Sequence, residues 1–205
     1  LAHLPNWSVP GSVDRMTRAF RQDEWILDRA AALFAQHGFA HTSVQSLADA
    51  VGLSKAGLLH HFPSKETLHE AATAMGREHT RRLLDQVTPL PPGRDRDRLA
   101  VELLTDFALD RPGLVALASR SITSLGVAKT GGPGIGEAFV FEMFDVAPDQ
   151  GDSARLARVI GMLGALVVLS LVATHQGDRT TWRRHIVATC LDALGSPEHP
   201  DQVEA

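Results

Sequence analysis

Residues 42–66 read TSVQSLADAVGLSKAGLLHHFPSKE, and the expected fold is built outward from them. Val44, Leu47, Ala48 and Val51 recur at i, i+3, i+4 and i+7, which gathers them on one face of a short helix. Ser43 precedes that face, where its hydroxyl can cap the first free amides. Gly52 follows it, where a residue without Cβ ends a helix at least cost. Leu53 then turns inward, and Ser54 is placed to cap a second helix. On that helix Leu58 and Phe62 lie four apart and face inward, while Lys55, Ala56, His60 and His61 face outward and are basic or small. Two short helices, a three-residue turn and a polar outer face on the second make a helix-turn-helix, whose second helix enters the major groove of DNA.

The longer stretch GFAHTSVQSLADAVGLSKAGLLHHFPSKETL resembles the DNA-binding signature of the TetR (tetracycline-repressor-like) transcriptional regulators. The resemblance rests on Gly38-Phe39, Thr42-Ser43-Val44, Leu47-Ala48, Gly52-Leu53-Ser54, His61-Phe62 and Ser64-Lys65-Glu66, and covers roughly residues 20–70. It implies an all-α fold: a three-helix head with the helix-turn-helix, then a C-terminal helical ligand-binding and dimerisation bundle. One position departs from the family. A tyrosine usually follows the middle of the recognition helix, whereas this chain has Leu59 there and no tyrosine anywhere. A leucine cannot donate to a phosphate, so that backbone contact is lost or passes to His60 or His61.

Charge and composition are consistent with a small DNA-facing head on an acidic body. The net charge is −4, which argues against a protein that coats nucleic acid without selectivity. Residues 1–65 hold six Lys or Arg against five acids, so the remaining chain carries a net −5. Cys190 is the only cysteine, so no intrachain disulfide can form, and a reducing cytoplasm is the expected compartment. The opening LAHLPNWSVPGSVDRM has no basic-then-apolar signal pattern, and part of it is expected to be an expression remnant. The longest apolar run, Val159 to Ala173, is shorter than the ~20 residues of a membrane span and reads as a buried helix.

Four segments are expected: a flexible arm over 1–20, the helix-turn-helix domain over 21–66, the effector-binding and dimerisation domain over 67–196, and a flexible tail over 197–205. The first helix is expected from about Asp23 to His37, with Ile26, Ala30, Leu33 and Phe34 as its buried stripe. Arg15, Arg18 and Arg21 just before it are solvated surface or an arm touching DNA. Ser64 is placed to cap a connecting helix over Lys65 to Val87, broken by PLPPGRDR (Pro89 to Arg96). The glycine-rich KTGGPGIG (Lys129 to Gly136) lacks the GK[ST] of a phosphate-binding loop and reads as a linker. A polar loop is expected from Asp145 to Ser153. Arg155 to His175 is apolar almost all round and must be covered on every side. With Thr181 to Leu194 it forms, as the resemblance implies, the interface of a homodimer.

The candidate DNA contacts divide by chemistry. Helices starting at Ser43 and Ser64 offer free amides to phosphates, and Thr42, Ser43 and Lys65 can add side-chain bonds. His60 and His61 gain charge beside a phosphate. Lys55 can donate to guanine O6 and N7, Ala56 can touch a thymine methyl, and Gln45 can reach adenine or a phosphate. Ser54 and Gly57 complete the set, the glycine letting backbone come close to DNA or to the neighbouring helix. One head reads only a few base pairs, so a double-stranded, roughly palindromic operator and a dimer are expected.

The family resemblance further implies a small-molecule effector in the helical body that moves the connecting helix and releases the operator. Leu103, Phe107, Leu117, Phe139, Met143 and Met162 are its candidate apolar contacts. Arg120, Ser121, Glu142 and His175 are the candidate polar ones, a balance that suits a largely hydrophobic ligand. Catalysis is not expected. The densest acid and histidine set, His61, Glu66, His69, Glu70 and His79, has no metal-ligand spacing, and no nucleophile elbow or dinucleotide fingerprint occurs. No cofactor or metal is called for. The alternative is a helical small-molecule or protein-binding sensor whose head has lost DNA binding, which Leu59 favours.

Overall fold

The structure, a computed structural model, describes residues 12–124, 135–147 and 153–195, with side chains over 22–120, 138–147 and 153–195. Residues 1–11, most of the Lys129 to Gly136 loop, residues 148–152 of the polar loop and the tail lie outside the described residues. The described elements are α1 (Ser12–His37), α2 (Val44–Ala50), α3 (Lys55–His61), α4 (Lys65–Val87), α5 (Arg94–Asp110), α6 (Pro112–Ser124), α7 (Ile135–Met143), α8 (Ser153–Gln176) and α9 (Arg179–Leu194). No strand of two or more residues occurs among them. The fold is all-α, as expected.

Two boundaries differ from expectation. α1 begins at Ser12 instead of about Asp23, so part of the expected arm is helical. Pro10 and Gly11 are the last breakers, and the stretch after them offers nothing to interrupt a helix. α5 begins at Arg94, inside the expected break, because only Pro89, Pro91, Pro92 and Gly93 resist helix. α6 starts on Pro112, whose fixed φ and missing N–H suit the first turn.

Two apolar clusters organise the chain. The head's core gathers Ile26, Ala30, Ala31 and Phe34 of α1, Leu47, Ala48 and Val51 around α2, and Leu58 of α3. It extends past residue 66 into Leu68 and Ala72 of α4 and Leu114 of α6. The body's core contains Leu84 and Val87 from the far end of α4, with Val101, Leu104, Phe141, Met162, Leu166, Ile186 and Cys190. Burying each large side chain of this kind is worth about 1.5–3 kcal/mol. α4 therefore belongs to both cores, and a shift of one end is carried to the other.

α6 makes a second joint along α1. The Leu114 amide donates to Asp28 Oδ1 at 3.0 Å, Arg111 Nη2 to Glu24 Oε2 at 2.7 Å, and Arg120 Nη1 to Ala35 O at 2.6 Å. The helices meet so closely at Gly113 that a Cβ there would stand 1.9 Å from the backbone oxygen of Asp28. α8 packs along α9 and against α5, burying Val159, Met162, Leu163, Leu166, Ser170 and Ala173. The opposite side of α8 is uncovered among the described residues, with Ile160, Val168 and Val172 exposed. Among the described residues of a single chain, α9, α5 and α6 cover one side of the helix. By length and composition alone α8 could cross a membrane.

Candidate nucleic-acid interface

α2, α3 and α4 each follow a serine that fixes the first turn. Ser43 Oγ accepts from the Ser46 amide at 3.0 Å while Ser46 Oγ accepts from the Ser43 amide at 3.2 Å, a reciprocal capping box. Ser64 and Thr67 repeat the arrangement at α4. Ser54 Oγ accepts from the Gly57 amide at 3.0 Å at the start of α3. Between α2 and α3 the backbone turns at Gly52, whose φ of +62° is the left-handed conformation that glycine adopts without strain.

With Leu58 buried, α3 presents Lys55, Ala56 and His60 to solvent, next to exposed Ser43, Gln45 and Ser54. These six form the open surface of the motif. Gln45 is held by its own helix, donating from Nε2 to Asp49 Oδ1 at 2.8 Å. Gly57, expected to let backbone come close to DNA or to the neighbouring helix, also has a reason within its own helix. A Cβ there would lie 3.2 Å from Ser54 Oγ, so the glycine makes room for the cap of its own helix.

Thr42, His61 and Lys65 are tied to other parts of the chain, His61 and Lys65 while remaining at the surface. Thr42 is 2% exposed and its hydroxyl donates to Gly38 O at 2.7 Å, so its side chain closes the α1–α2 turn and does not face a phosphate. His61 Nδ1 lies 2.9 Å from Asp23 Oδ1, which ties the end of α3 to α1. Lys65 Nζ donates to Phe39 O at 2.9 Å and sits 4.3 Å from the centre of the Phe39 ring. Phe39 also meets His69 edge-on, with centroids 5.2 Å apart, and burial holds the His69 ring below its usual pKa. Asp23 thus holds the end of α3, and Phe39 the start of α4. Asp23 carried no sequence signal, being one acid among several near the start of a helix.

The candidate effector residues do not converge. Leu103 and Phe139 pack on the body's core, Met143 and Met162 lie within it, and Phe107 and Leu117 pack on the head's core. Phe107 stacks on His79 with ring centroids 5.4 Å apart. Arg120 is bound to α1 through Ala35, and His175 Nδ1 donates to Leu171 O on its own exposed turn. The Ser121 side chain lies outside those described. Sequence reasoning missed two hydroxyls in the body, Thr105 Oγ1 and Ser170 Oγ, both buried with no hydrogen-bond partner among the described residues. Polar groups in that state seek a partner.

Residues 26–72 match the family model described as bacterial regulatory proteins, tetR family. Over 59 residues the chain is 42% identical to the HTH-type transcriptional repressor KstR2 of Rhodococcus jostii, covering 29% of this chain and 28% of that protein. Over 72 residues it is 36% identical to the HTH-type transcriptional repressor Rv1474c of Mycobacterium tuberculosis, covering 35% of each. The matched stretches thus span about a third or less of these curated relatives. A crystal structure of the TetR family transcriptional regulator PfmR from Thermus thermophilus aligns over 84% of this chain and 98% of that one, with 19% identity and a TM-score of 0.48.

Proposed function

From the premise that residues 26–72 are a TetR-family helix-turn-helix head, we propose that this chain is a ligand-responsive transcriptional regulator. In this reading it is a repressor that binds a palindromic operator as a homodimer and is released by a small molecule. The observation that carries the reading is the outer row of α3, Lys55, Ala56 and His60, exposed on a helix locked at both ends. Ser54 caps its start and the His61–Asp23 pair ties down its end. A reading helix held this firmly gives up little conformational freedom on meeting DNA.

Lys55 donates to a guanine edge, Ala56 meets a thymine methyl, and Ser43, Gln45 and His60 engage the flanking backbone. Residues 21–66 form the DNA-binding domain and 67–196 the effector and dimerisation domain, with α4 and α6 linking them. A ligand acts by preferring the state in which the heads are wrongly spaced; equal affinity for both states would shift nothing. A mostly apolar effector with one or two polar atoms suits the body, where the Thr105 and Ser170 hydroxyls have no partner among the described residues.

Fluorescence anisotropy on DNA from beside the chain's own gene, read at several salt concentrations, tests the regulator. Affinity should fall steeply with salt. Lys55→Ala should cost about 1–3 kcal/mol on that DNA. Binding no better than to random DNA, repeated after selection from a random library and with the protein folded, would reject the reading. It would leave the sensor alternative that Leu59 favours.

A further inference from the structure

A cavity of about 1100 Å3 lies among the starts of α5 and α8, the end of α7 and the length of α9. Its lining is unlike the rest of the body. Of the chain's 20 Lys and Arg, six fall within residues 1–65, leaving 14 beyond, and seven of those, all arginines, line this one cavity beside three aspartates. The segment after residue 65 is otherwise acidic, so its positive charge is gathered here.

The arginines divide by what they do. Arg96 is buried and builds the wall, donating to Met143 O at 2.9 Å and Glu142 O at 2.7 Å. Arg155 is paired with Asp97 at 2.7 Å and Arg183 with Asp106. Arg98 and Arg184 are exposed at the cavity and make no hydrogen bond among the described residues. α5 starts here on Gly93 without a side-chain cap, which leaves its first amides to water or a ligand. Val187 and Leu191 add partly exposed apolar surface to the same lining. Guanidinium forks above an apolar floor are complementary to an oxyanion carried on a hydrocarbon body. The volume admits a ligand of ordinary metabolite size.

We propose that this cavity binds an amphipathic oxyanion, a phosphate or carboxylate head held by Arg98 and Arg184 with its apolar body against Val187 and Leu191. The site is separate from the candidate effector residues, of which it contains only Met143, and the proposal stands whether or not the head binds DNA.

Calorimetric titration of the full chain with octyl phosphate, octanoate and 1-octanol is the test, repeated on the R98A/R184A double variant. Both arginines are on the surface, so the variant should keep its helical circular dichroism and melting temperature. Either anion should bind more tightly than octanol, with an affinity that falls as salt rises and drops about tenfold or more in the double variant. Octyl phosphate ahead of octanoate assigns a phosphate head, and the reverse order assigns a carboxylate. Equal binding of anion and alcohol, unchanged affinity in the double variant, or no binding at millimolar ligand would each overturn the proposal.

Discussion

Gly113 and Asp28 show how single residues hold head and body together. Replacing Gly113 with alanine gains helix propensity of about 1 kcal/mol. It also sets a methyl 1.9 Å from a backbone oxygen that no rotamer can move. Overpacking of this kind costs about 1–3 kcal/mol, so G113A should lower net stability by up to about 2 kcal/mol, read as a lower urea midpoint. An unchanged or raised midpoint would mean that α6 shifts away from α1 freely. Asp28 adds a pH dependence. Burial pushes its carboxyl above the ordinary 3.8, against the opposing pull of the Leu114 amide and Arg111. The folded chain therefore holds this proton more tightly than the unfolded one. The stability it contributes is fully present below 3.8 and is lost as pH rises through the folded value. The D28N chain keeps an acceptor for Leu114 and lacks this titration. Its stability relative to the wild type should improve as pH is raised from about 3.5 to about 7. A difference that stays constant over that range would mean Asp28 titrates alike in both states.

At the scale of elements, α3 depends on its cap and α9 on its burial. S54A removes the acceptor for the Gly57 amide and should cost about 1 kcal/mol, measured by thermal unfolding. A G57A/S54A pair should be less than additive, since the glycine makes room for the hydroxyl that is then gone. On α9, burial pushes the Cys190 thiol up to about 12, and its Sγ lies 3.8 Å from Met162 O. Native protein should resist an aromatic disulfide reagent that labels it at once in urea; quick labelling without urea would mean that α9 opens readily. The periodicity of Val44, Leu47, Ala48 and Val51 and the serine caps were legible because they are local: each acts within one turn of its own helix. What the sequence concealed is long-range. Thr42, His61 and Lys65 read as open donors until Gly38, Asp23 and Phe39 are brought beside them, and Asp23 is 38 residues from its partner. The basic cavity escaped notice for the same reason, its arginines being scattered from α5 to α9.

At the scale of the whole molecule, α8 carries an apolar stripe that the described residues of one chain leave uncovered. Ile160, Gly164, Val168 and Val172 recur every four residues along the outer side of α8, and the three large ones are 41%, 59% and 37% exposed. An apolar stripe of this length on a helix whose other side is already packed against α9 and α5 is costly in water. Gly161 and Gly164 are also exposed and lack side chains that would hold a second helix at a distance. Two copies of α8 and α9 packed as four helices would remove the stripe from water and bring two heads into one particle, as a two-half-site operator requires. Val168→Glu places a charge in the middle of that stripe while leaving the inner face untouched. Light scattering should find the wild type as a dimer and V168E as a monomer with unchanged helical content. Operator affinity should then fall with Lys55 and the rest of α3 intact, because each head binds its half-site alone. A V168E chain that remains dimeric would place the dimer contact elsewhere. A monomer that keeps full operator affinity would separate dimerisation from DNA binding and remove the palindromic operator from the proposed function.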